Sequence, residues 1–282
     1  MTRWRWTAAG LTILLAALYW PVFTRMAGLW WTHEYAGHGM FVPLFSAIIA
    51  WTERDRLVAA RDRGRAAGLV VVLIGVGILG LGRARQSLLL EGVSVAVVVA
   101  GLVLLAFGAR TLRAAAFPIG LLVLMVPLPQ EIVEAVTLSL QLFAANVAGW
   151  VLNLFGIPFL RTGVTLELAG ATMAVAEACN GLRFLLALFV LTLAFAYITQ
   201  TGVWRKAALA AAAIPVAILA NAIRVASIAV AAQYAGADAA LGAAHLVIGK
   251  VIWLGTIGGL IALGLAMRRT GQKLRVPAGA KA

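Results

Sequence analysis

Apolar runs about as long as a bilayer is thick recur along this chain, and that recurrence decides its solvent. They fall at roughly 7–23, 40–52, 67–82, 87–108, 114–127, 181–199, 207–232 and 245–267. About 20 apolar helical residues cross a hydrocarbon core, so the second and fifth runs are short for the task. In lipid every backbone N–H and C=O must be bonded internally, which a helix achieves within itself. The expected fold is therefore an all-α polytopic membrane protein of about eight transmembrane helices. It forms one integral-membrane domain over residues 1–267, followed by a basic cytoplasmic tail over 268–282. Composition agrees: 63% of residues are hydrophobic and 12% charged, against about 45–50% apolar in a soluble domain.

Two stretches depart from the pattern. Residues 130–155 are helical in spacing but carry Glu131, Glu134, Gln141, Asn146 and Asn153. They read as an amphipathic helix lying on or dipping into the outer interface; a crossing helix here would move the side on which the following segment lies. Residues 156–178 are punctuated by glycine, and Val164 to Leu168 partly alternates. This predicts a short hairpin-like outer element. At the start, Arg3 and Arg5 precede an apolar core, but no small-x-small cleavage site follows. An uncleaved first span is expected.

Charge sets orientation. With eight spans and both ends cytoplasmic, 16 of the 23 Lys and Arg residues fall inside and 4 outside, with Arg183, Arg224 and Lys250 in or beside spans. Positive residues favour the cytoplasmic side. The net charge of +13 is thus topogenic, the expected partner is the lipid bilayer, and nucleic-acid binding is excluded. The implied location is the cytoplasmic (inner) membrane.

Cys179 is the only cysteine, so it can form neither an internal disulfide nor a CxxC metal pair. It immediately precedes an apolar run, as His245 begins another, and both therefore sit at expected helix N-termini. The positive end of the helix dipole favours thiolate over thiol and neutral imidazole over imidazolium, by up to about 2 kcal/mol. A thiolate is the nucleophilic form, and a neutral imidazole accepts a proton. Arg224 lies inside an apolar run, at an insertion cost of about 2.5–3.5 kcal/mol. Asn221 and Ser227 lie three residues to either side and share its helix face, so the stripe should face the bundle interior. There a guanidinium is suited to stabilising an oxyanion. With the expected topology all three residues lie near the outer face.

Each also has a plainer reading: Cys179 as an apolar filler, His245 as an interfacial cap, Arg224 as a structural pair with a carbonyl or carboxylate. Arg183, four residues after Cys179, tunes the thiolate, binds a substrate carboxylate or anchors the helix end. Lys250 reads as a packing or substrate-side residue. His33 and His38 lack a carboxylate in a ligand pattern such as HExxH, so no metal site is expected. The glycines around Gly75–Gly82 and Gly255–Gly259 permit close helix packing.

The segment Val175-Ala176-Glu177-Ala178-Cys179-Asn180-Gly181-Leu182-Arg183 resembles the cysteine motif of the exosortase/archaeosortase family. Ala220-Asn221-Ala222-Ile223-Arg224-Val225 resembles its arginine motif, and His245-Leu246-Val247-Ile248-Gly249 its histidine motif. His38 to Leu44, followed by Trp51 and a basic loop, is similar to its N-terminal region. Asn180 stands where many members have Ser. The resemblance covers roughly residues 35–265. It implies a membrane cysteine protease or transpeptidase, without a cofactor. The implied substrates are exported proteins with a C-terminal sorting signal: a short motif such as Pro-Glu-Pro, a transmembrane helix and a basic cluster. In bacteria such systems accompany exopolysaccharide production. By motif match Cys179 would be the nucleophile, Arg224 the oxyanion stabiliser and His245 the general acid/base. Glu177, Asn180, Arg183 and Asn221 would bind substrate or support the site. Two other classes stay open: an anion transporter built on Arg224, and a non-catalytic membrane factor for polysaccharide export.

Overall fold

The computed structural model describes residues 2–169, 171–175, 181–236 and 242–273. It is an all-α polytopic membrane protein with one small sheet. The chain forms two compact units, Met1–Pro129 and Gln130–Ala282.

The first unit contains α1 (Thr2–Thr32), a 3-10 turn (Gly37–Met40), α2 (Phe41–Thr52) and α3 (Arg54–Ala59). There follow α4 (Ala67–Ala84), α5 (Leu88–Ala114), α6 (Ala116–Leu121) and a second 3-10 turn (Leu122–Met125). Helices α4 and α5 form an antiparallel hairpin closed by glycine. A Cβ on Gly68 would lie 2.3 Å from the Leu105 backbone nitrogen, one on Gly75 2.6 Å from Val98 Cγ2, and one on Gly82 2.8 Å from Glu91 Cγ. The three glycines are seven residues apart and share one helix face. Gly77 and Gly80, on other faces, meet nothing within 4 Å. Expected close packing is thus borne out for Gly75 and Gly82, while Gly68 extends the seam; it is not for Gly255, Gly258 and Gly259, where an added Cβ would meet nothing within 4 Å.

Polar bonds tie α1 to this hairpin. Glu91, 2% exposed, pairs with Arg25. Tyr19 and Ser94 hydroxyls lie 3.0 Å apart, and Arg83 donates to the Leu18 carbonyl at 2.7 Å, one turn before Pro21. Arg25 and Arg83 are therefore engaged within the fold. His33 packs edge-on against Tyr35, and His38 Nδ1 donates to the Tyr35 carbonyl at 3.0 Å. Burial pushes the His38 pKa down, against backbone bonds that raise it.

The second unit contains α7 (Gln130–Leu154), three strands, α8 (Gly181–Thr199), α9 (Val203–Ala235) and α10 (Ala243–Lys273). Strands β1 (Phe159–Thr162), β2 (Thr165–Leu168) and β3 (Ala171–Ala174) form an antiparallel meander. Gly163, at φ +62°, turns the first hairpin. The expected hairpin-like element is thus present and extended by a strand. Its inward residues Leu166, Leu168 and Met173 join a core with Ala144, Ala148 and Leu152 of α7 and Ala222, Val225 and Ala229 of α9. Small side chains let helices approach closely where lipid supplies no hydrophobic drive between them. At the other end of α10, Gln200 Nε2 donates to the Gly264 carbonyl at 2.7 Å.

Among the described residues six helical segments are long and apolar enough to cross a membrane: α4, α5, α7, α8, α9 and residues 245–269 of α10. The runs at 40–52 and 114–127 form the short α2, α6 and their 3-10 turns, each below the length a crossing needs. Helix α7, assigned to the interface by its polar residues, has the length and composition of a span. One of those residues, Asn146, accepts a bond from Arg161 on β1, which offsets part of its desolvation cost.

Candidate functional site

Arg224 lies two thirds of the way along α9, and His245 is in the first turn of α10. Arg224 Nη2 and His245 Nε2 are 3.0 Å apart. A guanidinium has donors only, so arginine donates, and Nε2 presents its lone pair as acceptor. The proton of a neutral imidazole then resides on Nδ1. The contact sets both the ring orientation and the hydrogen-bonding role of His245.

Glycine makes the contact possible. Gly249 follows His245 by one turn, and a Cβ there would stand 3.3 Å from Arg224 Nε and 3.5 Å from its Cζ. The guanidinium thus lies directly against the α10 backbone. Arg224 Nε is buried and has no hydrogen-bond partner among the described residues. Such a donor costs about 1–3 kcal/mol and calls for a functional or structural explanation.

A second close approach stands one turn earlier on α9. Asn221 is 4% exposed. A Cβ on Gly181, at the start of α8, would lie 2.8 Å from Asn221 Nδ2. Asn221 Oδ1 is buried without a partner among the described residues. Helices α8 and α10 therefore meet α9 at consecutive turns, through Gly181 against Asn221 and Gly249 against Arg224. Arg183 and Lys250 are exposed.

Cys179, Glu177 and Asn180 lie outside the described residues. The described residues on either side are well packed: Val175 is 0% exposed in the core shared with α7 and α9, and Gly181 abuts Asn221. An apolar groove of about 440 Å³ runs along α9 and α10. Ala220, Ile223, Ile252, Gly255 and Gly259 line it.

The structural roles of Gly181 and Gly249 were not legible in the sequence. Both stand in the quoted motif segments, but a glycine in a helix has many possible reasons. Glu91 was also passed over. Its signal was a carboxylate inside an apolar run, which is costly unless partnered.

The family model described as "Transmembrane exosortase" matches residues 30–264, most of the chain and all of the elements that carry the site. Neither a curated protein nor a solved structure matches. The chain belongs to the transmembrane exosortase family, and is a multi-pass membrane protein of that type.

Proposed function

We propose that this protein is a membrane-embedded cysteine protease or transpeptidase. It cleaves the C-terminal sorting signal of exported proteins at the outer face of the cytoplasmic membrane. The observation that carries the reading is the 3.0 Å contact between Arg224 Nη2 and His245 Nε2. It couples a cation suited to an oxyanion to a group suited to proton transfer, at the end of α10 where the helix dipole favours negative charge. Gly181 stands two residues after Cys179 in sequence and packs against Asn221, three residues before Arg224. Connectivity thus supports a thiol in the same neighbourhood.

The chemistry follows from those groups. Neutral His245 accepts the Cys179 thiol proton, the resulting thiolate attacks the scissile carbonyl, and the carbonyl electron pair moves onto oxygen, where Arg224 stabilises it. Collapse of the tetrahedral intermediate breaks the C–N bond. His245 gives a proton to the departing amine, leaving a thioester on Cys179. Water or an acceptor amine then attacks the thioester, giving its proton to His245 and releasing the thiolate. The groove along α9 and α10 suits the signal's transmembrane helix, because Gly255 and Gly259 bring backbone to the surface at four-residue spacing. Co-expression with a sorting-signal protein tests the reading. Arg224→Ala and His245→Ala should each reduce processing by at least about a hundredfold, as loss of oxyanion or acid–base groups does. Unchanged processing in both variants refutes it.

A further inference from the structure

A second feature lies wholly in the first unit. A groove of about 290 Å³ opens between α2, α3, α5 and α6. Val58, Val99, Val103, Phe107 and Leu122 supply much of its wall. Its two hydroxyls are already satisfied. Ser46 donates to the Pro118 carbonyl at 2.7 Å, and Thr111 to the carbonyls of Ala60 and Phe107 at 3.1 and 3.0 Å. A groove with no polar side chain seeking a partner suits hydrocarbon.

The rim is different. Arg61 lines the groove, its Cζ 5.1 Å from the centre of the Phe107 ring. The loop that carries it is strapped to α5. Asp62 N donates to the Phe107 carbonyl at 3.0 Å, and Arg65 N to the Leu104 carbonyl at 3.1 Å. Gly108 has φ +83°, and a Cβ there would meet the Arg63 carbonyl at 2.6 Å. Charges that only set topology need no such fixed backbone. Arg54 and Arg56 have acidic neighbours within ion-pair distance. Among the described residues Arg61, Arg63, Arg65, Arg110 and Arg113 have no ion-pair partner. Asp62 is the one acid in this rim, and its carboxylate accepts from Arg63 N.

We infer that this groove binds an anionic phospholipid of the bilayer, an acyl chain along the apolar wall and the phosphate at Arg61. Dry lining, a fixed cation at the mouth and an unbalanced positive rim match that amphiphile. Guanidinium pairs with phosphate oxygens through paired donors, and basic pockets at the membrane surface select anionic headgroups.

Native mass spectrometry of the purified full chain tests this, with dioleoyl phosphatidylglycerol, dioleoyl phosphatidylcholine and inorganic phosphate as probes. The expected result is saturable phosphatidylglycerol binding, about tenfold tighter than phosphatidylcholine. Arg61→Gln, at an exposed position, should weaken it about fivefold. Val58→Trp, at the exposed lip, should reduce binding of both lipids. Equal retention of the two lipids, or unchanged affinity in Arg61→Gln, overturns the inference. Competition by millimolar phosphate would assign the rim to a free anion. A dimer abolished by Val58→Trp would assign the groove to a second copy. Either result also overturns it.

Discussion

Replacing Gly249 with alanine should separate stability from activity. An added Cβ would stand 3.3 Å from Arg224 Nε, 3.5 Å from Cζ and 3.6 Å from Nη2. The first distance is tight by a few tenths of an ångström, so the guanidinium must retreat from α10. The same retreat lengthens the 3.0 Å bond from Nη2 to His245. Against this, alanine is a better helix former than glycine by about 0.8–1.0 kcal/mol. The two effects nearly cancel in the folding balance, so thermal unfolding in detergent should change little. They do not cancel in the chemistry. A hydrogen bond to a charged group contributes about 1.5–3 kcal/mol, and losing half of the upper figure slows the reaction about tenfold. Gly249→Leu, which cannot be accommodated by a small shift, should lose the full contribution. The assay is processing of a co-expressed sorting-signal protein, beside unfolding of the purified variant. Unimpaired processing in Gly249→Leu would refute the proposed link between the Arg224–His245 contact and catalysis.

Three further outcomes concern the first unit. Arg25→Ala should destabilise more than Glu91→Ala, because Glu91 is 2% exposed and its partner 50%; stranding the buried carboxylate costs about 3 kcal/mol, read by thermal unfolding. Gly68→Ala should cost about 1–3 kcal/mol by overpacking against Leu105, whereas Gly77→Ala, facing open space, should be neutral or stabilising. His38 is held below its ordinary pKa of 6.5 by burial, so folding favours its neutral form. That contribution is complete above about pH 6.5 and fades as acid protonates the unfolded chain first. His38→Gln should flatten the stability profile below that pH.

Fold class was legible because the bilayer imposes it: a run such as 87–108 has few other ways to satisfy its backbone. Segment ends and short helices were less so. The run 114–127 has the composition of a span, but it breaks into α6 and a 3-10 turn. Helix α7 is the reverse case, with the length and composition of a span. Its Glu131 and Gln141 suggested an interface, while its alanine face packs along α9. In the site, Arg224 was conspicuous because charge in an apolar run is costly. Its contact with His245 was not readable, since 21 residues and a helix reversal separate the two. The contact depends on Gly249, whose missing side chain carries no chemical signal of its own.

Intact mass spectrometry of the purified protein incubated with a sorting-signal substrate tests the central claim most directly. With the reaction quenched in acid during turnover, the account predicts an adduct equal to the amino-terminal substrate fragment. It should be bound to Cys179 as a thioester, released by hydroxylamine and absent in Cys179→Ala. Substrate cleavage that proceeds without an adduct, at an equal rate in Cys179→Ala, would contradict it.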